Sequence, residues 1–176
     1  MGPYSDMGPY SDMGPYASSP YPAWQAPTGG MPLAAMERFL LESLPVAAVA
    51  HSYHVEALRN PTLQRDPAYQ RFSLIELNEL HHQIAAYGDL IRMQQGDPTA
   101  ADNLAFNLAG FLQNRQAAMR MLPQLSPAAR NHPAMQQVMD LMQVSNQQVA
   151  GNNQLLNQTF AMTDALVPGP LLVRPR

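Results

Sequence analysis

Proline placement constrains this chain more than any other feature. Six prolines fall within residues 1–31, at 3, 9, 15, 20, 22 and 27, interleaved with glycines at 2, 8, 14, 29 and 30. Each fixes φ and withholds a backbone donor, so neither a helix nor a sheet ladder propagates through the segment. Its text is Met-Gly-Pro-Tyr-Ser-Asp, written twice and begun a third time. Such a stretch reads as polyproline II and turns, a disordered Pro/Tyr/Gly-rich N-terminal tail. Tyr4, Tyr10, Tyr16 and Tyr21, four of the seven tyrosines, stand in it as candidate interaction residues that can stack, hydrogen-bond or couple oxidatively. At the far end Pro168 and Gly169 stop the last helix. The expected division is a repeat tail over 1–31, a helical bundle domain over 32–166 and a disordered C-terminal tail over 167–176.

Between the tails the hydrophobic period is near 3.6, so the fold class is all-α. Leu33, Met36, Leu40 and Leu44 form one stripe, with Pro32 near the first turn. Pro45 is expected to kink or restart that helix with Ser43 as cap. Val46, Val49, Tyr53 and Ala57 continue it to Pro61, and a polar linker follows. Ser73 and Glu76 then stand three apart, as a capping box requires, and predict the next helix start. Leu74, Leu77, Leu80, Ile84, Tyr87 and Ile91 supply its expected buried face. Gly96 offers a left-handed stop, and Asp97 or Thr99 caps the third helix. That helix carries Leu104, Leu108, Phe111, Ala118 and Leu122, interrupted at Arg115. The short join predicts an antiparallel hairpin. A fourth helix is expected from about Ala134 to Leu166, with Met135, Met142, Val149 and Leu156 seven apart. Its seam turns polar at Ser145, Asn146, Asn152 and Asn153, and Gly151 weakens it. The whole reads as an up-down bundle of about four helices.

Composition removes several function classes. The formal net charge is −3, and the ten basic residues, all arginine, are scattered. A clustered cationic face, which nucleic acid binding needs, is therefore not expected. With no cysteine there is no disulfide, no thiolate zinc site and no cysteine nucleophile. No run of about eighteen apolar residues suggests a membrane span. The N-terminus lacks the charged and apolar regions of a signal peptide, so the expected location is cytoplasmic.

Few residues point to chemistry. Glu79 and His82 form a Glu-x-x-His pair of the kind that ferritin-like di-iron bundles aim into their cores. His51 and His54 on the first helix complete a sparse candidate metal set with them. The aliphatic stripe on the same helix places Glu79 and His82 towards water instead. No G-x-S-x-G or phosphate-cradling loop is present, so no enzyme is expected and no cofactor is implied. The methionines of the third and fourth helices read as core filling. Eleven of the twenty-three residues from Gln136 to Gln158 are Asn or Gln, which reads as an exposed polar face or, alternatively, as a seam for self-association through that helix.

The segment "LNELHHQIAAYGDLIRMQQGDPTAADNLAFNLAGFLQNRQAAMRML" resembles the helical hairpin of small spore coat proteins of the coat F type. Leu-Asn-Glu-Leu opens one helix, Asp-Pro builds the turn, and spaced Leu, Gln, Arg and Met close the next. The resemblance covers about residues 72–125 and the flavour of the tail, although lysine is absent here. It implies a ferritin-like bundle without an evident metal site, deposited on a spore surface as a structural component. The function read from the chain is a non-enzymatic structural or assembly protein, with other protein chains and itself as partners. The alternative is a ferritin-like metal-binding or redox protein using His51, His54, Glu79 and His82.

Overall fold

The structure, a computed structural model, describes residues 32–161. Among these residues there is no strand, and seven α-helices carry the fold. They are α1 (Leu33–Ala57), α2 (Pro61–Gln64), α3 (Pro67–Gln94), α4 (Ala100–Met121), α5 (Pro127–Arg130), α6 (Pro133–Gly151) and α7 (Asn153–Ala161). The number exceeds the four expected because the proline-rich joins fold into single turns and the last long helix divides. Tyr4, Tyr10, Tyr16 and Tyr21, with both expected tails, lie outside the described residues.

Helix α1 runs unbroken through Pro45, against the expected restart. The missing N–H leaves the Leu41 carbonyl without its helical donor. Pro45 itself is exposed, so its ring meets solvent and the apolar contacts on either side hold the helix together. Ser43 is no cap: its hydroxyl donates to the Leu40 carbonyl at 3.3 Å from within the helix.

Helix α3 starts six residues before the expected capping box. The Asp66 side chain accepts from the backbone of Ala68 at 3.0 Å and of Tyr69 at 3.2 Å, and Pro67 occupies the first turn. An acidic cap followed by proline satisfies the free donors of a helix start. Ser73 therefore stands inside the helix and donates to the Gln70 carbonyl at 2.9 Å. The same Asp66 accepts from the Ser126 hydroxyl at 2.5 Å, and Ser126 caps α5, which joins the two helix starts.

The α3–α4 turn forms as the sequence predicts. Gly96 takes φ +87°, a left-handed conformation that favours glycine. Arg92 donates to Asp97 at 2.7 and 2.9 Å and ties the turn to α3. Helices α3 and α4 pack as antiparallel neighbours, with Glu79 beside Arg115 and Asp89 beside Asn107. Helix α1 also runs antiparallel to α3: Glu37 meets Gln94, and His54 meets Tyr69. The expected fourth helix breaks after Gly151. There the Asn152 side chain takes the Gln148 carbonyl at 2.8 Å and α7 starts afresh.

Two apolar clusters hold these helices. One gathers Met36, Phe39, Leu40, Leu90, Leu104, Leu108, Phe111 and Leu156; the other gathers Leu63, Tyr69, Phe72, Met121, Met135 and Met142. On α3 the predicted aliphatic face is only partly inward: Leu80 is buried and Leu77 and Tyr87 are half-buried. Leu74 is 60% exposed, Ile84 54% and Ile91 38%, whereas Glu76, Glu79 and Gln83 are buried. No described helix is long and apolar enough to cross a membrane.

Candidate functional site

The two apolar clusters are separated by a polar layer. Its members sit at mid-height on four helices: Ser43 on α1, Glu76, Glu79 and Gln83 on α3, Arg115 on α4, and Ser145 on α6, all buried. Each interrupts an apolar stripe at one level, so the polar positions of separate helices meet.

Arg115 organises the layer. Its Nη1 donates to Glu79 Oε1 at 3.1 Å and to Oε2 at 3.4 Å. Its Nη2 donates to the Met142 carbonyl at 2.7 Å and its Nε to Asn146 Oδ1 at 2.9 Å. The guanidinium thus bridges α3, α4 and α6 with every nitrogen engaged. Charge-assisted bonds of this kind are stronger than neutral ones, and a fully paired buried arginine tolerates desolvation.

The carboxylates outnumber the cation. Burial raises the pKa of Glu76, and burial together with the neighbouring Glu76 charge raises that of Glu79; Arg115 opposes both. The two titrate as a pair. The direct contact with Arg115 favours the ionised form on Glu79, while Glu76 Oε1 has no hydrogen-bond partner. Burial beside a single cation thus holds the pair's carboxyls above the ordinary carboxylate range. Both amide atoms of Gln83 are likewise unpartnered. A recess beside the layer is lined by Val46, Ala47, Ala50, Glu76, Glu79, Arg115, Leu141, Met142 and Ser145. The recess has room for about one water.

Three of the four sequence candidates for a metal, Glu79, His54 and His82, fall into three separate networks, and His51 joins none of them by a hydrogen bond. Glu79 is 2% exposed and bound to Arg115, which corrects the expectation that it faces water. His54 is buried against Phe72, and its Nδ1 lies 3.0 Å from the Tyr69 hydroxyl. Burial, then the charge of His51, pulls the His54 pKa down to about 4. Burial pushes the Tyr69 phenol above its ordinary range. His51 is half-buried with Nδ1 enclosed and unpartnered. His82 is half-buried on the α3–α4 seam, its Nδ1 3.1 Å from Asn107 Oδ1, and Asn107 in turn donates to Asp89 at 2.7 Å. Since the Asn107 amide nitrogen serves Asp89, its oxygen accepts, which fixes the proton on His82 Nδ1. Among the described residues no three His, Asp or Glu side chains come together as a metal-binding group. Arg115 supplies its own positive charge beside the glutamates, where a cation would otherwise neutralise them.

Sequence reasoning noted Arg115, Ser145 and Asn146 one at a time as interruptions, without linking them to Glu79. Gln83 and Glu76 it missed as interior groups. The available signal was a shared level: a polar gap halfway along each long helix. Comparison with protein-family models, curated proteins and solved structures finds no match.

Proposed function

We propose that this chain is a non-enzymatic structural or assembly protein: an up-down bundle of four long helices, α6 and α7 counted as one, that bears a tyrosine-rich arm. The observation that carries the reading is that α3 has aliphatic side chains on its outer face while polar ones enter its core. That helix buries Glu76, Glu79 and Gln83 and turns Leu74, Ile84 and Ile91 outward. Exposed aliphatic side chains in a row are the signature of a protein–protein surface. The arm adds Tyr4, Tyr10, Tyr16 and Tyr21 on a Pro/Gly-rich sequence suited to contacts with other chains. A role in a surface layer, as the coat-F-type resemblance implies, fits both features.

The test is deletion of residues 1–31. Thermal unfolding of the body should not change, because both core clusters lie within residues 36–156. Incorporation into higher assemblies, read by sedimentation and electron microscopy, should fall. Equal incorporation of the truncated chain would remove the arm from the function.

A further inference from the structure

The outward residues of α1 and α3 form one surface. On α3 Leu74, Leu77, His81, Ile84, Gly88 and Ile91 are spaced alternately three and four apart, as the a and d positions of a coiled-coil seam are. On α1 Leu41, Leu44, Ala48, His51 and Val55 repeat the same spacing. All are exposed or half-buried, with Leu41 and Val55 each 49% exposed. The two helices are adjacent and antiparallel, so the seams lie side by side. Neither contains a charged residue between Leu41 and Val55 or between Leu74 and Ile91 at these positions.

We propose that this face is the interface of a two-fold symmetric dimer, α1 on α1 and α3 on α3 of a second copy, each pair antiparallel. The proposal rests on the assembly reading above and names its first contact. Three observations select a second copy as the occupant.

The first is symmetry. Leu41 and Val55 are equidistant from Ala48, and Leu74 and Ile91 are equidistant from the midpoint of His81 and Ile84. The contacts of Glu37 with Gln94 and of His54 with Tyr69 bring those two midpoints level within about a turn. A two-fold axis level with Ala48 therefore pairs Leu41 with Val55 on α1 and, about one turn from the α3 midpoint, Leu74 with Ile84 on α3, as an isologous interface requires.

Charge is the second. Glu37 closes one end of the α1 seam, and Arg59 lies just beyond the other, each eleven residues from Ala48. The same axis places Glu37 of each copy opposite Arg59 of the other.

The third is area. Helix α1 is 25 residues long, which gives a length of about 37 Å, and two helix widths give about 20 Å. The resulting face of about 700 Å² approaches the ~800 Å² per partner of a standard interface.

Sedimentation and light scattering on the full-length chain test the proposal. Wild type should be dimeric at micromolar concentration, and Leu41→Glu with Ile84→Glu should weaken the dimer at least 100-fold with helicity unchanged. Val144→Glu, on an exposed position of α6, should leave it intact. Glu37→Arg and Arg59→Glu should each weaken the dimer, and together should restore it. Because the chain has no cysteine, Ala48→Cys should give a covalent dimer on oxidation and Val144→Cys should not. A monomeric wild type, a dimer indifferent to the face variants, or no rescue by the charge swap overturns the proposal. Deleting residues 1–31 should not dissociate this dimer, so failure of the arm and failure of the face are distinguishable.

Discussion

Arg115 Nη1 lies 3.1 Å from Glu79 Oε1 across the α3–α4 seam, and both side chains are buried. The pair is not a simple source of stability. Removing two charges from water costs several kcal/mol per ion, and their attraction roughly offsets that cost when geometry is good. Its consequence is specificity. Only one register of α3 on α4 on α6 brings the guanidinium to Glu79, the Met142 carbonyl and Asn146 together.

Breaking the pair from the cationic side should be costly. Arg115→Met leaves two buried carboxyls without a counter-charge and should destabilise the fold by about 3–5 kcal/mol in urea unfolding. Adding Glu76→Leu and Glu79→Leu to that variant should recover most of the loss, since an apolar layer needs no counter-charge. Wild-type stability for Arg115→Met alone would show that the layer is hydrated in solution.

The glutamate pair should make stability fall as pH rises. The folded carboxyls titrate above the ordinary Glu value of 4.5, at about 7 for Glu76 and about 8 for Glu79. In that window the folded state holds protons that the unfolded state has released, so unfolding free energy declines with pH. Below about pH 4.5 both states are protonated and the effect vanishes. Glu76→Gln keeps the shape of the protonated side chain, and should raise stability at pH 8 while changing little at pH 4. Urea titrations at the two values read the difference directly.

His54 should act in the opposite direction. Its pKa is lowered from 6.5 to about 4, so the folded state binds fewer protons than the unfolded one between those values. Stability is full above about pH 6.5 and falls as pH drops towards 4. The whole shift corresponds to about 3 kcal/mol. His54→Phe should flatten the acid limb and expose the glutamate slope alone. Tyr69→Phe removes only the hydroxyl bonded to His54, and should cost about 1 kcal/mol without abolishing the acid limb.

Much of this architecture is legible in the sequence. Proline and glycine mark every join, and Gly96 and Gly151 stand where α3 and α6 end. The stripe of α4 reads correctly because its interruption at Arg115 leaves Leu104, Leu108, Phe111 and Ala118 in phase. Helix α3 defeats the same reasoning. The regular stripe Leu74, Leu77, Leu80, Ile84, Tyr87 and Ile91 has only Leu80 fully buried, so periodicity selects a face turned partly outward. What overrides it is pairing: Glu79 enters the core because Arg115 on another helix meets it, and one helix read alone carries no trace of that partner. The start of α3 is a different failure. Asp66-Pro67 is a complete cap signal, overshadowed by the equally well-formed Ser73–Glu76 spacing, which tertiary burial of Glu76 takes for another purpose.

Gly110 offers a test of the third network. It sits within α4, where alanine would ordinarily stabilise the helix by about 1 kcal/mol. A Cβ at this position would come within 2.5 Å of the His82 ring, however. The ring must then rotate away and give up its bond to Asn107 and its edge contact with Phe106. Gly110→Ala should therefore be neutral or destabilising by up to about 1 kcal/mol, and the fixed Nδ1–H tautomer of His82 should be lost in nitrogen NMR. In a His82→Ala background the obstruction is gone. There the same Gly110→Ala change should stabilise the protein by about 1 kcal/mol, the helix propensity now acting unopposed. Identical effects of Gly110→Ala in the two backgrounds would mean that His82 does not rest on Gly110 in solution. A change of sign between them would fix the ring on the glycine and the imidazole in the Asn107–Asp89 chain.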